Sequence, residues 1–269
     1  MGLFRSRISP VRKELQKIER EEQKLVEYAE KHKTAPVWKT ELEKKIPQKV
    51  LSGLQKAFFK AFCLIFEKGT AIIEKTYDKE AAVKEFLIND YAVDVKGSRK
   101  EIAKIRSGAF GSNMLNTAVT TIEGVGLGAL GIGLPDLVIW IGVLLRGIYE
   151  TALNYGFDYD KEEEKIFILK MIETSMAFGE EWIILNSEID TYMSCIANGI
   201  SNEDELRQQI EKTANALAIQ MLGIKFIQGL PVVGILGGAA NPIYYQKIMK
   251  YVQLKYRKRY LLGKREHIG

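Results

Sequence analysis

The stretch GVGLGALGIGLPDLVIWIGVLLRGI, from Gly124 to Ile148, constrains this chain more than any other. It is apolar almost throughout, yet it holds seven glycines, a Pro–Asp pair and one arginine. An apolar run of about 18–20 residues reads as a membrane span. Asp136 lies near the middle of this one, where a carboxylate costs about 2.5–3.5 kcal/mol. Pro135 removes a backbone donor and favours a break before it. Only nine apolar residues separate Asp136 from Arg146, too few to cross. The stretch therefore divides into a glycine-rich segment and a helix that begins at Pro135. Proline suits a first helical position, and Asp136 in the first turn complements the helix dipole.

A second segment, IKFIQGLPVVGILGGAANPIYYQ, repeats the pattern with Gly229-Leu230-Pro231 before another glycine-rich apolar run. Glycines three or four apart let helices approach closely, in lipid or in a soluble core. Three readings stay open for the pair: a buried helical hairpin, a membrane-inserted or re-entrant hairpin, and the lining of an apolar cavity.

The rest of the chain reads as helix. Ser9-Pro10 supplies a cap and a first-turn proline. Val11, Leu15, Ile18, Leu25 and Ala29 then form a narrow apolar stripe on a charged segment that ends near Lys33. An apolar helix follows Pro47 and is expected to stop at Gly69. Asp78 and Gly97 bracket another. Ser98-x-x-Glu101 is a capping box, and Asp160-x-x-Glu163 and Ser201-x-x-Asp204 look related. Strand-like alternation is missing, so the expected fold is all-α. It is a single helical domain of about ten helices with two glycine-rich hairpins broken at Gly-Leu-Pro. The expected divisions are a charged N-terminal helix (1–35), a helical N-terminal part (36–97), a helical core (98–262) and a basic tail (263–269).

Composition narrows the chemistry. Cys63 and Cys195 form no CxxC and suggest no disulfide framework, which fits a reducing compartment. The N-terminus has no apolar leader core, although Gly2 and Ser6 match a short myristoylation pattern that needs a eukaryotic acyltransferase. The two histidines, His32 and His267, lie on a charged helix and at the C-terminus, which argues against triads and most zinc sites. No P-loop, GxSxG or HExxH occurs, and no metal or cofactor is expected. Carboxylate chemistry is the remaining enzymatic option, with Glu123, Asp136, Glu150 and Glu173 as candidates. Asp136 is the one to test in a lipid hydrolase.

Residues 242–265 hold eight Lys or Arg, five Tyr and no acid. At helical spacing Lys247, Lys250, Arg257, Lys258, Lys264 and Arg265 gather on one side. Such a face suits an anionic membrane, at about 1 kcal/mol per cation. No nucleic-acid module accompanies it, so nucleic acid is disfavoured.

Two segments then carry a resemblance. GLPDLVIWIGVLLRGIYETALNYGFD (133–158) and GLPVVGILGGAANPIYYQKI (229–248) resemble the bacterial EcsC family. The matching positions are Gly133, Pro135, Asp136, Arg146, Tyr155, Gly156, Phe157, Asp158, Gly234 and Asn241, within a likeness that covers about residues 100–260. The resemblance implies a bacterial protein linked to the envelope and no particular reaction. Arg146 and Glu150, four apart, are expected to pair, whereas Asp136 and Arg146 lie about 15 Å apart along a helix and cannot. Gly156 is expected to stop a helix, with Asp158 or Asp160 opening the next.

The expected function is membrane association from the cytoplasm, peripheral at the inner face. The protein would bind lipid or a membrane protein and alternate between soluble and membrane-bound states. The alternatives are the lipid hydrolase and a soluble protein-binding module.

Overall fold

A cap and a proline begin the first helix as the sequence predicts. In the computed structural model, which describes residues 9–33, 41, 45–108, 135–197, 204–227 and 240–268, the Ser9 hydroxyl accepts from the Arg12 N–H at 3.2 Å. Helix α1 runs Pro10–Lys31. Helix α2 (Gln48–Leu64) does not stop at Gly69; it passes through a π-helical turn, Ile65–Gly69, into a short helix, Thr70–Glu74. The Gly69 backbone is helical, so its freedom is not used to end the rod. Asp78 caps α3 (Lys79–Lys96) by accepting from the Ala81 N–H at 2.8 Å, and Gly97 ends it at φ 55°.

Ser98 accepts from the Glu101 N–H at the start of α4 (Arg99–Gly108), while the Glu101 carboxylate turns to Lys104 at 2.7 Å. Helix α5 spans Pro135–Asn154, beginning at the expected proline. Then come α6 (Glu162–Met176), α7 (Gly179–Ala197), α8 (Asp204–Ile227) and α9 (Ala240–Ile268). The described residues contain no strand, so the fold is all-α. The Gly-Leu-Pro breaks at 133–135 and 229–231, the glycine-rich runs beside them and the cap at Ser201 fall largely or wholly outside the described residues.

The Asp160-x-x-Glu163 box does not form. The cap of α6 is Lys161, and no side chain bonds the first turn. Glu162, Glu163 and Glu164 occupy that turn and complement the dipole directly. Asp160 is drawn away to Lys79, 2.8 Å distant.

Helix α6 forms the centre. Ile166, Phe167, Ile168, Leu169, Met171 and Ile172 are fully buried, each contributing about 1.5–3 kcal/mol through burial. It packs against α7, α8 and α9, while α8 also packs against α2. Helices α3 and α4 form a pair against α5, and α1 lies against α7 and α9. One cluster of buried apolar side chains runs from Val11 to Leu261, crossing the expected divisions at 35/36 and 97/98. By length and composition Leu137–Asn154 could cross a membrane, but 83% of that window is buried inside the protein.

Candidate functional site

Helix α9 threads the bundle, against α1, α5 and α6. Of the six cations that the sequence groups on one side, Arg257, Lys258 and Lys264 face the protein's own carboxylates. Lys258 lies 2.6 Å from Glu22 and 2.9 Å from Asp190. Arg257 meets Glu21. Lys264 lies 2.8 Å from Asp90 and 2.5 Å from Asp94 on α3. Arg259, between them, meets Glu164 at 2.7 Å while its guanidinium covers the Phe157 ring at 4.1 Å. Lys250 and Arg265 stay exposed, and Lys247 sits 4.5 Å over the Phe178 ring. Half of the basic face is thus neutralised from within. The compensating acids lie on α1, α3, α6 and α7, far away in sequence, which is why composition within 242–265 suggested a free face.

The motif residues divide in the same way. Arg146 and Glu150 pair at 3.2 Å, as their spacing predicts. Burial raises the Glu150 carboxyl even beside this guanidinium. Arg146 Nη1 has no hydrogen-bond partner among the described residues. Gly156 ends α5 at φ 80°, and the Phe157 N–H reaches back to the Ala152 carbonyl at 2.9 Å. The Phe86 ring of α3 fills the place of a side chain there, 2.3 Å from where a Cβ would stand.

Asp158 does not cap α6. Its carboxylate accepts from the Asp160 N–H at 3.1 Å and tightens the turn. Tyr155 is buried, stacked 6.5 Å from Tyr256. A cavity of about 480 Å³ lies beside Phe157 and Asp158, lined also by Glu163, Glu164, Lys258 and Arg259. Its Lys258 and Arg259 are already paired. The motif therefore locks the α5–α6 turn onto α3 and α9. Gly133 and Gly234 lie outside the described residues, as do the side chains of Pro135, Asp136 and Asn241; Asp136 is in the first turn of α5.

Sequence reading passed over a different surface. Helix α3 turns Phe86, Asp90 and Val93 inward: Phe86 meets Tyr260 edge-on, and the Tyr260 hydroxyl donates to Asp90 at 2.8 Å. Its other side leaves Val83, Leu87, Ile88, Tyr91 and Val95 between 37% and 71% exposed. Four of these recur every fourth residue, so the five make one stripe about 18 Å long. Lys96 at its C-terminal end, and Lys100 and Arg106 on α4, are exposed and make no ion pair among the described residues. Asp90 and Asp94 are occupied by Lys264, and Glu80 pairs with Lys84 at 3.6 Å. Helix α3 is apolar on both sides, so periodicity could not tell its solvent face from its core face.

The match to known families agrees with the motifs and extends them. The model of the EcsC protein family matches residues 9–261. The chain belongs to the EcsC family. The match reaches well beyond residues 100–260, and α1 falls within it although its charged sequence carries none of the motifs. No curated protein and no solved structure matches this EcsC-family chain. Among the described residues no group of three or more His, Cys, Asp or Glu side chains could hold a metal.

Proposed function

We propose that this EcsC-family protein attaches reversibly to an anionic membrane surface, at the cytoplasmic face, through the outer side of α3. The observation that carries this reading is the exposed stripe Val83, Leu87, Ile88, Tyr91 and Val95 beside Lys96 and Lys100, which are exposed and make no ion pair among the described residues. Full burial of a Leu or Ile contributes about 1.5–3 kcal/mol, and each cation at an anionic surface about 1 kcal/mol. Four well-exposed side chains and two lysines therefore suffice for reversible attachment. A tyrosine among them suits the interface, where its ring meets lipid and its hydroxyl meets water. The basic helix α9 acts from inside in this reading: Lys264 holds Asp90 and Asp94, which orients α3 with its apolar side outward.

Vesicle flotation tests the reading. Full-length protein is expected to float with vesicles containing phosphatidylglycerol and to stay down with phosphatidylcholine alone. Leu87→Asp with Ile88→Asp should abolish flotation, and Lys96→Glu with Lys100→Glu should weaken it and remove its salt dependence. Wild-type flotation by both double variants would overturn it. So would dimers, in place of flotation, that the Asp pair dissolves.

A further inference from the structure

A groove of about 440 Å³ opens between α1, the start of α7 and α9, on a part of the surface that the α3 stripe does not use. Its walls are Leu25, Trp182, Tyr251 and Leu254. The Tyr251 hydroxyl donates to Asn186 at 2.7 Å, so the polar end of that side chain is turned away and occupied. Trp182 meets the Tyr251 ring edge-on at 6.1 Å. The volume falls within the roughly 300–1,000 Å³ of small-molecule pockets.

Three lysines border these walls: Lys24 on α1, and Lys247 and Lys250 on α9. None of Lys24, Lys247 and Lys250 makes an ion pair among the described residues, and Lys247 lies over the Phe178 ring. Glu21, the acid of the groove, is taken by Arg257. This sets the groove apart from the stretch of α9 from Lys255 to Lys264, where Lys255, Arg257, Lys258, Arg259 and Lys264 each meet a carboxylate. Lys247 is exposed as a residue, yet its ammonium is crowded enough that desolvation, with no anion to offset it, brings its pKa down to about 8. The groove joins an apolar slot to an excess of positive charge, the complement of an apolar chain with an anionic end.

We infer that this groove binds a single-chain anionic amphiphile, with the acyl chain along Leu25, Trp182 and Leu254 and the anionic head between Lys24, Lys247 and Lys250. The ligand chemistry is an acyl chain ending in a carboxylate or phosphate, whether a free fatty acid or a lysolipid.

Trp182 is a built-in reporter. Oleate and oleoyl-lysophosphatidylglycerol, each below its micellar concentration, are titrated into full-length protein. Emission is followed, and equilibrium dialysis counts the bound ligand. Saturable one-to-one binding of either probe is expected, with Trp182→Phe removing the emission change but not the binding. The preferred probe tells the two sources apart. Lys247→Met and Lys250→Met retain the apolar stems, and each should weaken binding roughly tenfold or more. Oleyl alcohol should bind more weakly by a similar factor. Leu87→Asp with Ile88→Asp should bind the probes as wild type does, and Lys247→Met should float normally, so failure here is separable from failure of membrane attachment. No saturable binding of either probe, equal binding of the alcohol, or unchanged affinity in both Met variants would overturn the assignment. So would binding of an acidic amphipathic peptide with none of either lipid.

Discussion

Lys255 and Glu22 stand 233 residues apart in the chain and meet at 2.6 Å inside the bundle. Lys255 is fully buried, and Asp190 of α7 completes its shell at 2.8 Å. The pair also explains the pattern of α1. The apolar stripe Val11, Leu15, Ile18, Leu25, Ala29 skips one turn, and the residue there is Glu22. It faces inward with its neighbours and receives both Lys255 and Lys258. Glu22 thus fastens α1 to α9, beside the neighbouring Glu21–Arg257 pair.

The clamp predicts an asymmetry. Glu22→Leu leaves Lys255 buried with Asp190 alone and should cost about 3 kcal/mol, because removing one partner strands a charge. Lys255→Met keeps the volume and leaves Lys258 with both carboxylates, so it should cost about 1 kcal/mol or less. Urea denaturation of the two variants measures the difference. Equal losses would mean that the clamp adds nothing beyond packing.

Three glycines with positive φ separate backbone strain from steric contact. A Cβ on Gly97 meets only the Val93 carbonyl, at 4.0 Å; on Gly156 it meets Phe86 at 2.3 Å; on Gly179 it meets the His32 carbonyl oxygen at 2.6 Å. Gly97→Ala should cost about 1 kcal/mol, the left-handed strain alone. Gly156→Ala should cost more, and Phe86→Ala in the same chain should recover part of it. Gly179→Ala should cost most, since backbone cannot turn aside as a ring can. Thermal or urea denaturation of the series gives the order.

Acid sensitivity should localise to the turn that joins α2, α3 and α6. Tyr159 donates to Glu74 at 2.6 Å, and Lys79 reaches Glu74 at 2.6 Å and Asp160 at 2.8 Å. Burial alone would raise the Glu74 carboxyl, but the bonds from Lys79 and Tyr159 outweigh it and hold it below its ordinary 4.5. Burial pushes the neighbouring Tyr77 hydroxyl up to about 12. A depressed carboxyl stabilises the fold above its unfolded value and loses that contribution as pH falls through the folded one. Glu74→Gln should therefore be less stable than wild type at pH 7, and the gap should close on acidification below about 4.5. A constant gap from pH 7 to pH 3 would rule the network out.

Lys247 should be the lysine that titrates early. Its ammonium faces Phe178, with Glu21 and Lys24 on α1 and Lys250 and Tyr251 on α9 around the same groove. Desolvation lowers its pKa to about 8, so NMR of isotopically labelled lysines should show one resonance moving near that pH and absent from Lys247→Met. Saturation with the preferred amphiphile should move that titration upward, because an adjacent anion favours the charged form.

The sequence by itself determined the helices and several of their ends. Ser9, Asp78, Gly97, Pro135 and Gly156 act locally, through hydrogen bonds and backbone angles that involve only residues close in the chain. The all-α class, the Arg146–Glu150 pair and the family motifs were legible for the same reason. Tertiary structure decided which side of each helix meets water. Helix α3 carries apolar residues on more than one side, and packing against the rest of the bundle chooses Phe86 and Val93 as its core face and leaves Leu87, Ile88 and Tyr91 outside. Helix α9 reads as a basic surface helix because its acids lie on α1, α3, α6 and α7. Charge compensation acts through space, and no window of sequence contains both Lys255 and the Glu22 that neutralises it.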